Sequence, residues 1–125
     1  MSGLLITGAS GLIGHGLSIY FLKKNLKVYG TSFKSQFTKE QKKLVKLKKI
    51  DFKNKSSLGK LTKHLKKIDY VIHSAALIPA KSNNRNNQFY KINYLGTKYF
   101  IDLCIKYKIK KFIFISTMGF YNKTL

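Results

Sequence analysis

The chain has 125 residues, 44% of them hydrophobic, which is enough for one domain with a single core. Its 25 lysine and arginine residues outnumber 4 aspartate and glutamate residues and give a formal net charge of +21. Only Arg85 is an arginine, and the lysines occur on every predicted polar face instead of along one stripe with interleaved aromatic residues. The charge therefore predicts unspecific, salt-sensitive attraction to polyanions and argues against a specific nucleic-acid interface.

Three further classes of protein are disfavoured. No apolar run approaches the roughly 20 residues that cross a bilayer, and no basic segment precedes the first apolar one. We therefore expect neither a membrane span nor a signal peptide, and a cytoplasmic location. The single cysteine, Cys104, falls on an apolar helical stripe and is expected to be an inert core thiol. The histidines have no partners at metal-ligand spacing, so we expect no metal site.

The strongest local pattern is the segment LLITGASGLIG at residues 4–14. Leu4, Leu5 and Ile6 form the short apolar run of a strand that is buried on both faces. From Leu12 the apolar residues recur at helical spacing to about Lys24. The pattern predicts a strand, a turn and a helix whose free N–H groups face the turn and attract anions.

Each glycine of this turn has a physical task if the turn holds a phosphate. Gly8 can adopt a positive φ, Gly11 lets a pyrophosphate approach the backbone, and Gly14 lets the helix lie close to the strand. The predicted nucleotide-binding residues of this turn are Gly8, Ser10, Gly11, Leu12, Ile13 and Gly14, with the pyrophosphate expected at residues 8–13. The alternative is a glycine-rich turn with a structural role only. The pattern G-x-x-x-x-G-K-[ST] is absent from the sequence, which disfavours a P-loop phosphotransferase.

The motif TGASGLIG resembles the N-terminal motif of the extended short-chain dehydrogenases, a family of NAD(P)-dependent nucleotide-sugar epimerases, dehydratases and reductases. The resemblance implies that residues 1–125 form one NAD(P)-binding domain with a Rossmann-type, doubly wound α/β fold. Its five parallel strands are expected in the order 3-2-1-4-5, with the cofactor crossing their carboxyl ends between strands 1 and 4. The matches cover the chain but less than half of a typical family member.

Residues 27–32 (KVYGTS) predict a second strand, which completes one right-handed βαβ unit. In NAD-preferring members of the family an acidic residue ends this strand and holds the ribose hydroxyls, whereas this chain has Ser32 there, followed by Phe33 and Lys34. The small hydroxyls of Thr31 and Ser32 and the nearby lysine can accept a 2′-phosphate, so the sequence favours NADP over NAD. The alternative is a lysine that falls here by chance in a lysine-rich chain.

Residues 38–47 carry a capping-box pattern, Thr38 followed by Gln41, and predict a short solvated helix. Residues 48–52 (KKIDF) predict the third strand, which resembles a family strand that ends in an acidic and an apolar residue beside the adenine. Asp51 and Phe52 occupy those two places. The alternative is that Asp51 caps the helix that follows.

Residues 58–65 predict a lysine-rich helix with one apolar stripe that covers the sheet, and residues 69–73 (DYVIH) predict the fourth strand. The turn after it resembles the small-residue turn under the ribose and nicotinamide in the family: Ser74, Ala75 and Ala76. The next helix contains the family's N-x-x-G-T, in which the asparagine, here Asn93, lies near the cofactor. The alternative is that Asn93 has another hydrogen-bonding partner in a helix that only packs.

Residues 111–116 (KFIFIS) predict the fifth strand, and the segment after it resembles the family's S-[ST]-x-x-V-Y. The resemblance assigns Thr117 as the catalytic hydroxyl that bonds the reacting sugar oxygen. The family's acid–base pair, Tyr-x-x-x-Lys on a helix after this strand, has no match there. The three matches in the sequence, which begin at Tyr20, Tyr94 and Tyr107, lie before or at the strand, where the family has packing helices, so we do not expect them to be catalytic pairs. We therefore expect the chain to be the cofactor-binding portion of such an enzyme and to be inactive by itself. The alternative is a non-catalytic NAD(P)-binding sensor or scaffold.

The expected substrate partner is a nucleotide-sugar or a related small molecule, and no membrane partner is expected. In the predicted sheet the fifth strand is an edge that carries apolar residues. Because an exposed apolar edge recruits another chain, we expect self-association, or pairing with a complementing C-terminal portion, through residues 111–116.

Overall fold

The computed structural model of the chain describes residues 2–77 and 86–116. Within them a parallel sheet is formed by the strands β1 (Gly3–Thr7), β2 (Lys27–Thr31), β3 (Val45–Leu47), β4 (Ile68–His73) and β5 (Lys111–Phe114). The strands lie in the order β3-β2-β1-β4-β5, and every neighbouring pair is parallel. This order confirms the predicted doubly wound topology, in which β1 and β4 lie on either side of the switch point.

The helices connect the strands and cover both faces of the sheet. They are α1 (Leu12–Lys23), a short 3₁₀ helix (Lys39–Gln41), α2 (Lys55–Gly59), α3 (Thr62–Leu65), α4 (Asn86–Phe89), a π-helical segment (Tyr90–Gly96) and α5 (Thr97–Lys106). In the described part of the chain, no helix has both the length and the apolar character to cross a lipid bilayer.

Alternate residues of the central strands supply two apolar cores, one on each face of the sheet. On one face Leu4, Ile6 and Val28 pack with Leu17 and Phe21 of α1. On the other face, residues of β1, β2 and β4 pack with residues of α2, α3 and α5. The principal members of this second core are Leu5, Tyr29, Val71, Leu58, Leu61, Leu65, Phe100 and Leu103.

The lysine-rich helix predicted around residues 58–65 is two short helices, α2 and α3. All three leucines of the predicted stripe are fully buried, so its packing role is confirmed. The side chain of Asn54 caps α2 by accepting hydrogen bonds from the N–H groups of Ser56 and Ser57, at 2.9 and 3.2 Å. Asp51 does not cap this helix; its Oδ1 accepts the N–H of Lys53 at 2.9 Å instead. The capping alternative for Asp51 is therefore wrong.

The capping box of Thr38 and Gln41 is present as predicted, but the predicted extent of the helix in residues 38–47 and the predicted strand at residues 48–52 are wrong. Only Lys39–Gln41 is helical in the first segment, and the third strand is Val45–Leu47, so it precedes the second segment. The predicted site residues at positions 51 and 52 consequently lie in a loop beyond β3.

The predicted helix is absent because the two leucines of this region, Leu44 and Leu47, lie on opposite faces of the sheet. Both leucines are buried, each in the core on its own face. Val45 and Leu47 pack in the same core, as residues two apart on a strand do, whereas on a single helix Leu44 and Leu47, three residues apart, would share one face. Lys49 then adopts a positive φ of 59°, which ends the extended chain.

The helix predicted to carry the N-x-x-G-T motif is present, but it contains the π-helical segment between α4 and α5. A Cβ atom at Gly96 would overlap the carbonyl oxygen of Phe52. Glycine therefore lets the helix approach the loop that follows β3. π-helical turns of this kind are frequent at functional sites.

Cys104 lies on α5 and is buried in the core, as predicted. Burial raises the pKa of its thiol to about 12, so the reactive thiolate does not form at neutral pH. Among the described residues, no three His, Cys, Asp or Glu side chains are grouped so that they could hold a metal ion.

A buried polar chain joins β1, β4 and α5. The Thr7 hydroxyl lies 2.7 Å from His73 Nδ1, and His73 Nε2 lies 2.9 Å from the Thr97 hydroxyl. The Thr7 oxygen also accepts the N–H groups of Ser74 and Ala75, at 3.1 Å each, so its own proton is directed at Nδ1. His73 therefore carries its proton on Nε2 and donates a hydrogen bond from this N–H to the Thr97 hydroxyl. Both ring nitrogens are thus paired while the ring is neutral.

The surroundings of His73 oppose its protonation. Its ring is 1% exposed, and burial lowers its pKa to about 4. A second proton on Nδ1 would face a Thr7 oxygen that already accepts two N–H groups. Four phenylalanine rings have their centroids between 5.1 and 5.9 Å from the imidazole centroid: Phe52, Phe100, Phe112 and Phe114.

We predict that the chain loses stability as the pH falls from about 6.5 to 4. In this window the unfolded chain binds a proton at residue 73 that the folded chain does not, so the stability present above pH 6.5 declines by on the order of 3 kcal/mol. Urea unfolding at pH 7 and pH 4 measures the difference. A His73→Phe variant, which suits the surrounding rings, should lose this part of the pH dependence, whereas His15→Phe should retain it. Equal pH dependence in the His73→Phe variant and the parent would contradict the prediction.

Candidate functional site

A cavity of about 520 Å³ opens at the carboxyl ends of β1, β2 and β4, beside the switch point of the sheet. Its volume is in the range of small-molecule binding sites. Among the residues predicted to bind a cofactor, those that line it are Gly8, Ser10, Gly11, Leu12, Ile13, Gly14, Ser32, Lys34, Asp51, Phe52, Ser74, Ala75 and Ala76. Asn93 is not in its lining, and Thr117 lies outside the described residues.

Two glycines of the turn between β1 and α1 are required by the fold. Gly8 has a φ of 66°, and a Cβ atom there would lie 2.8 Å from the Cα of Ala75. A Cβ atom at Gly14 would overlap the carbonyl oxygen of Gly8. The positive φ of Gly8 and the close approach of the helix at Gly14 are both as predicted.

Gly11 differs from these two glycines. Its φ of −82° and ψ of 176° suit any residue, and a Cβ atom would be in ordinary contact, 3.4 Å from the Gly8 carbonyl oxygen. The fold therefore tolerates a side chain at this position, and the space that it would occupy is the cavity. The predicted task of Gly11, close approach of a ligand to the backbone, stays a prediction.

Several hydrogen bonds fix the turn to β2. The N–H of Gly8 donates to the Thr31 hydroxyl at 3.0 Å, and the N–H of Ala9 donates to the Thr31 carbonyl at 2.9 Å. The N–H of Gly11 donates to the Gly8 carbonyl at 3.0 Å. Thr31, which the sequence suggested as a phosphate contact, thus has a structural role in holding the turn.

The amino end of α1 retains free donors. The helix has 12 residues, begins at Leu12, and is not capped by any side chain in the described part of the structure. The first N–H groups of a helix have no partners within it, so those of Leu12 and Ile13 remain available at the cavity. The helix macrodipole adds roughly half a positive charge at this end.

The segment after β2 forms one wall of the cavity. Ser32 is 5% exposed, whereas Phe33 and Lys34 are exposed, and the Lys34 ammonium lies 5.5 Å from the centre of the Phe33 ring. Ser35, which the sequence did not single out, also lines this wall, and its hydroxyl oxygen lies 2.6 Å from that of Ser10. This contact links the wall to the glycine turn.

The charged side chains of the described lining are Lys34 and Asp51, one of each sign. The N–H of Asp51 donates to the Ser57 hydroxyl at 2.7 Å, which fixes the loop beyond β3 against α2. Phe52 is 6% exposed and packs edge to face on Phe100, with ring centroids 5.5 Å apart. The two residues predicted to lie beside an adenine therefore reach the cavity from a loop, not from a strand.

The small-residue turn after β4 is tied to the end of β1. The Ser74 hydroxyl donates to the Thr7 carbonyl, and the N–H groups of Ser74 and Ala75 donate to the Thr7 hydroxyl. The backbone of Ala75 lies so close to Gly8 that it leaves no room for a side chain at residue 8. The turn thereby brings its backbone to the cavity with little side-chain bulk.

Asn93 lies directly behind the cavity wall. Its Oδ1 accepts the N–H of Leu77 at 2.8 Å, and its Nδ2 donates to the carbonyl of Leu77 at 3.1 Å. Leu77, Ile92 and Ile50 also line the cavity, although no motif in the sequence singles them out as site residues. Asn93 thus has the hydrogen-bonding partner that the alternative requires, and this partner is itself part of the wall.

The sequence pattern of the NAD dependent epimerase/dehydratase family matches residues 4–124. A curated protein, the dTDP-D-glucose 4,6-dehydratase of Dictyostelium discoideum, is 33% identical over 145 aligned positions, which cover 98% of this chain and 30% of that protein. The chain therefore spans less than a third of the length of this relative.

Solved structures of similar fold are longer as well. The UDP-Glc/GlcNAc 4-epimerase of Campylobacter jejuni is 25% identical, with a TM-score of 0.82 over 98% of this chain and 39% of that chain. The UDP-glucose 4-epimerase of Bifidobacterium longum, solved with NAD⁺ and UDP, is 23% identical, with a TM-score of 0.77 over 97% of this chain and 38% of that chain. At this identity the second likeness shows the fold alone. Because the family pattern matches almost the whole sequence, the chain belongs to the NAD dependent epimerase/dehydratase family.

Proposed function

We propose that the chain binds NAD or NADP across the carboxyl ends of β1 and β4, with the pyrophosphate at the amino end of α1. The observation that carries this proposal is the uncapped start of α1, whose free N–H groups at Leu12 and Ile13 face a cavity of about 520 Å³. Helix termini of this kind hold the phosphates of dinucleotides. The adenosine would lie towards the β2 and β3 side, and the nicotinamide towards the small-residue turn after β4.

For the whole protein we propose the oxidation or reduction of a sugar carbon in a nucleotide-sugar. The named dehydratase and the epimerase of Campylobacter jejuni support this substrate class. Thr117 stays the predicted hydroxyl for the reacting oxygen, and the tyrosine–lysine pair would come from sequence beyond these 125 residues. By itself the chain is expected to bind cofactor without turnover. A cytoplasmic location is a proposal from the sequence alone.

Between the two cofactors we propose a preference for NADP. Ser32 stands where an acidic residue would repel a 2′-phosphate, and the exposed Lys34 lies on the same wall. Asp51, the acidic residue of the described lining, follows β3 instead of β2. A 2′-phosphate near Lys34 would therefore be attracted by the lysine, and no acidic residue on the segment after β2 would repel it.

We predict that Gly11→Val weakens the binding of NAD and NADP by about tenfold or more, about 1.4 kcal/mol, because the new side chain fills space that the pyrophosphate needs. Isothermal titration calorimetry at moderate salt measures the affinity. The matched control is Gly16→Val on the same helix, since a Cβ atom there has nothing within 4 Å. Equal affinities in the Gly11→Val variant and the parent would contradict the proposal, because they would show that the measured binding is unspecific attraction of the cofactor by the lysines.

We predict that Lys34→Ala narrows the ratio of NADP to NAD affinity, because a charge that offsets the 2′-phosphate is lost. The matched control is Lys27→Ala, which removes the same charge at the opposite end of β2. Ser32→Asp should move the preference towards NAD. If Lys34→Ala and Lys27→Ala change the ratio equally, Lys34 does not contact the phosphate.

We also propose that the edge of β5 pairs with a second copy or with a complementing C-terminal portion. Among the described strands β5 pairs with β4 alone, and Ile113 and Phe114 are 45% and 53% exposed. The relatives' greater length supports a complementing portion. An apolar edge with unpaired backbone groups is a template for another chain.

We predict that Ile113→Lys reduces association at moderate salt, because it places a charge on the apolar edge. Sedimentation velocity over a range of concentrations measures the fraction associated. The matched control is Ile105→Lys, which changes an isoleucine that is 70% exposed on α5 and gives the same net charge. A parent chain that stays monomeric at high concentration would contradict the proposal.

A further inference from the structure

Gln41 is a fully buried amide at the end of the 3₁₀ helix. Its Nε2 donates to the carbonyl of Ala9 at 2.7 Å and to the hydroxyl of Ser18 at 2.8 Å. Its Oε1 accepts the N–H of Thr38 at 3.0 Å. Both N–H donors of the amide and its oxygen are thus engaged, and one of the donors reaches the glycine turn, 32 residues away in sequence.

The bond to Ala9 determines how the next peptide group is oriented. A trans peptide is planar, and its C=O and N–H point in opposite directions. The described residues contain no cis peptide bond. Since Gln41 holds the Ala9 carbonyl towards the buried interior, the N–H of Ser10 points the other way, to the side of the turn where Ser10 lines the cavity.

The N–H of Ser10 is one of the few donors that the turn leaves free. Those of Gly8 and Ala9 are bound to Thr31, and that of Gly11 is bound to Gly8. Among the described groups, none accepts a hydrogen bond from the N–H of Ser10. If this peptide were reversed, a carbonyl oxygen would face the cavity and repel an anion.

We propose that Gln41 is a positioning residue for the pyrophosphate: it locks the Ala9–Ser10 peptide so that the N–H of Ser10 joins the helix donors at the anion site. This rests on the proposed binding of NAD or NADP. Ser35, which like Gln41 lies between β2 and β3, also contacts the turn through the hydroxyl of Ser10. The segment between β2 and β3 therefore lines the cavity and also fixes the direction in which the Ala9–Ser10 peptide group faces.

The test compares NAD affinities of folded variants by calorimetry, after circular dichroism has shown that each is folded at the temperature used. Gln41→Met keeps the length of the side chain and removes both donors, and it should weaken binding by about tenfold or more. Gln41→Glu keeps the acceptor for the N–H of Thr38 but places an oxygen against the Ala9 carbonyl, and it should weaken binding at least as much. The matched control, Ser18→Ala, loses the other partner of Gln41 and should bind within about twofold of the parent.

A merely structural Gln41 would lower the unfolding midpoint of these variants and leave the affinity of the folded protein unchanged. That result, with a parent that binds NAD, would overturn the inference and leave the proposed function standing. A parent that does not bind NAD would overturn both.

A measurement on the parent alone does not depend on whether the variants fold. In an NMR titration with NAD, the amide proton resonance of Ser10 should shift together with those of Leu12 and Ile13, because all three donate to the same ligand. A Ser10 resonance that stays in place while the other two shift would overturn the inference.

Discussion

The contact between Gly14 and the carbonyl of Gly8 determines where α1 points. Because Gly14 has no side chain, the helix lies directly on the backbone that ends β1, and its first N–H groups open into the cavity. Any side chain at residue 14 would displace the helix, and the donors of Leu12 and Ile13 with it. Gly8 makes the same geometry possible from the other side, through its positive φ and its approach to Ala75. Gly11 takes no part in this packing, so the fold by itself does not explain why that residue is glycine.

The N-x-x-G-T segment shows how residues remote from a cavity can shape it. Asn93 binds both backbone groups of Leu77, Gly96 allows contact with the Phe52 carbonyl, and the Thr97 hydroxyl accepts a hydrogen bond from His73. Each of these contacts ends at, or next to, a residue of the cavity wall. The π-helical segment supplies the change of pitch between α4 and α5 along which these residues lie. The family resemblance placed Asn93 near a cofactor, and the structure supplies a geometric route by which it acts on the wall without lining it.

The sequence predicted the elements whose signals are local. The glycine turn and the leucine stripe of α2 and α3 each depend on neighbours within a few residues, and they are found as predicted. The order of the strands has no local signal; it was implied by the family resemblance and is confirmed. The third strand was misplaced because Val45–Leu47 is only three residues long, and frequent lysines obscure a period of two there. Gln41 was assigned only to a helix start, because the capping pattern describes its bond to Thr38. Its bond to Ala9 spans 32 residues, and no local pattern reports such a contact.

The large positive charge and the anion site are separate features of this chain. Of the 25 basic residues, Lys34 is the one in the described lining of the cavity, where Asp51 opposes it. The other lysines of residues 2–77 and 86–116 lie outside this lining and would act on a ligand through solvent, where salt screens the attraction beyond about 8 Å at physiological ionic strength. In the proposed complex the free N–H groups of the turn and of α1 would act at hydrogen-bonding distance from a phosphate and would be screened far less. Raising the salt concentration should therefore remove the unspecific attraction first, and binding that survives it would belong to the proposed site at the turn.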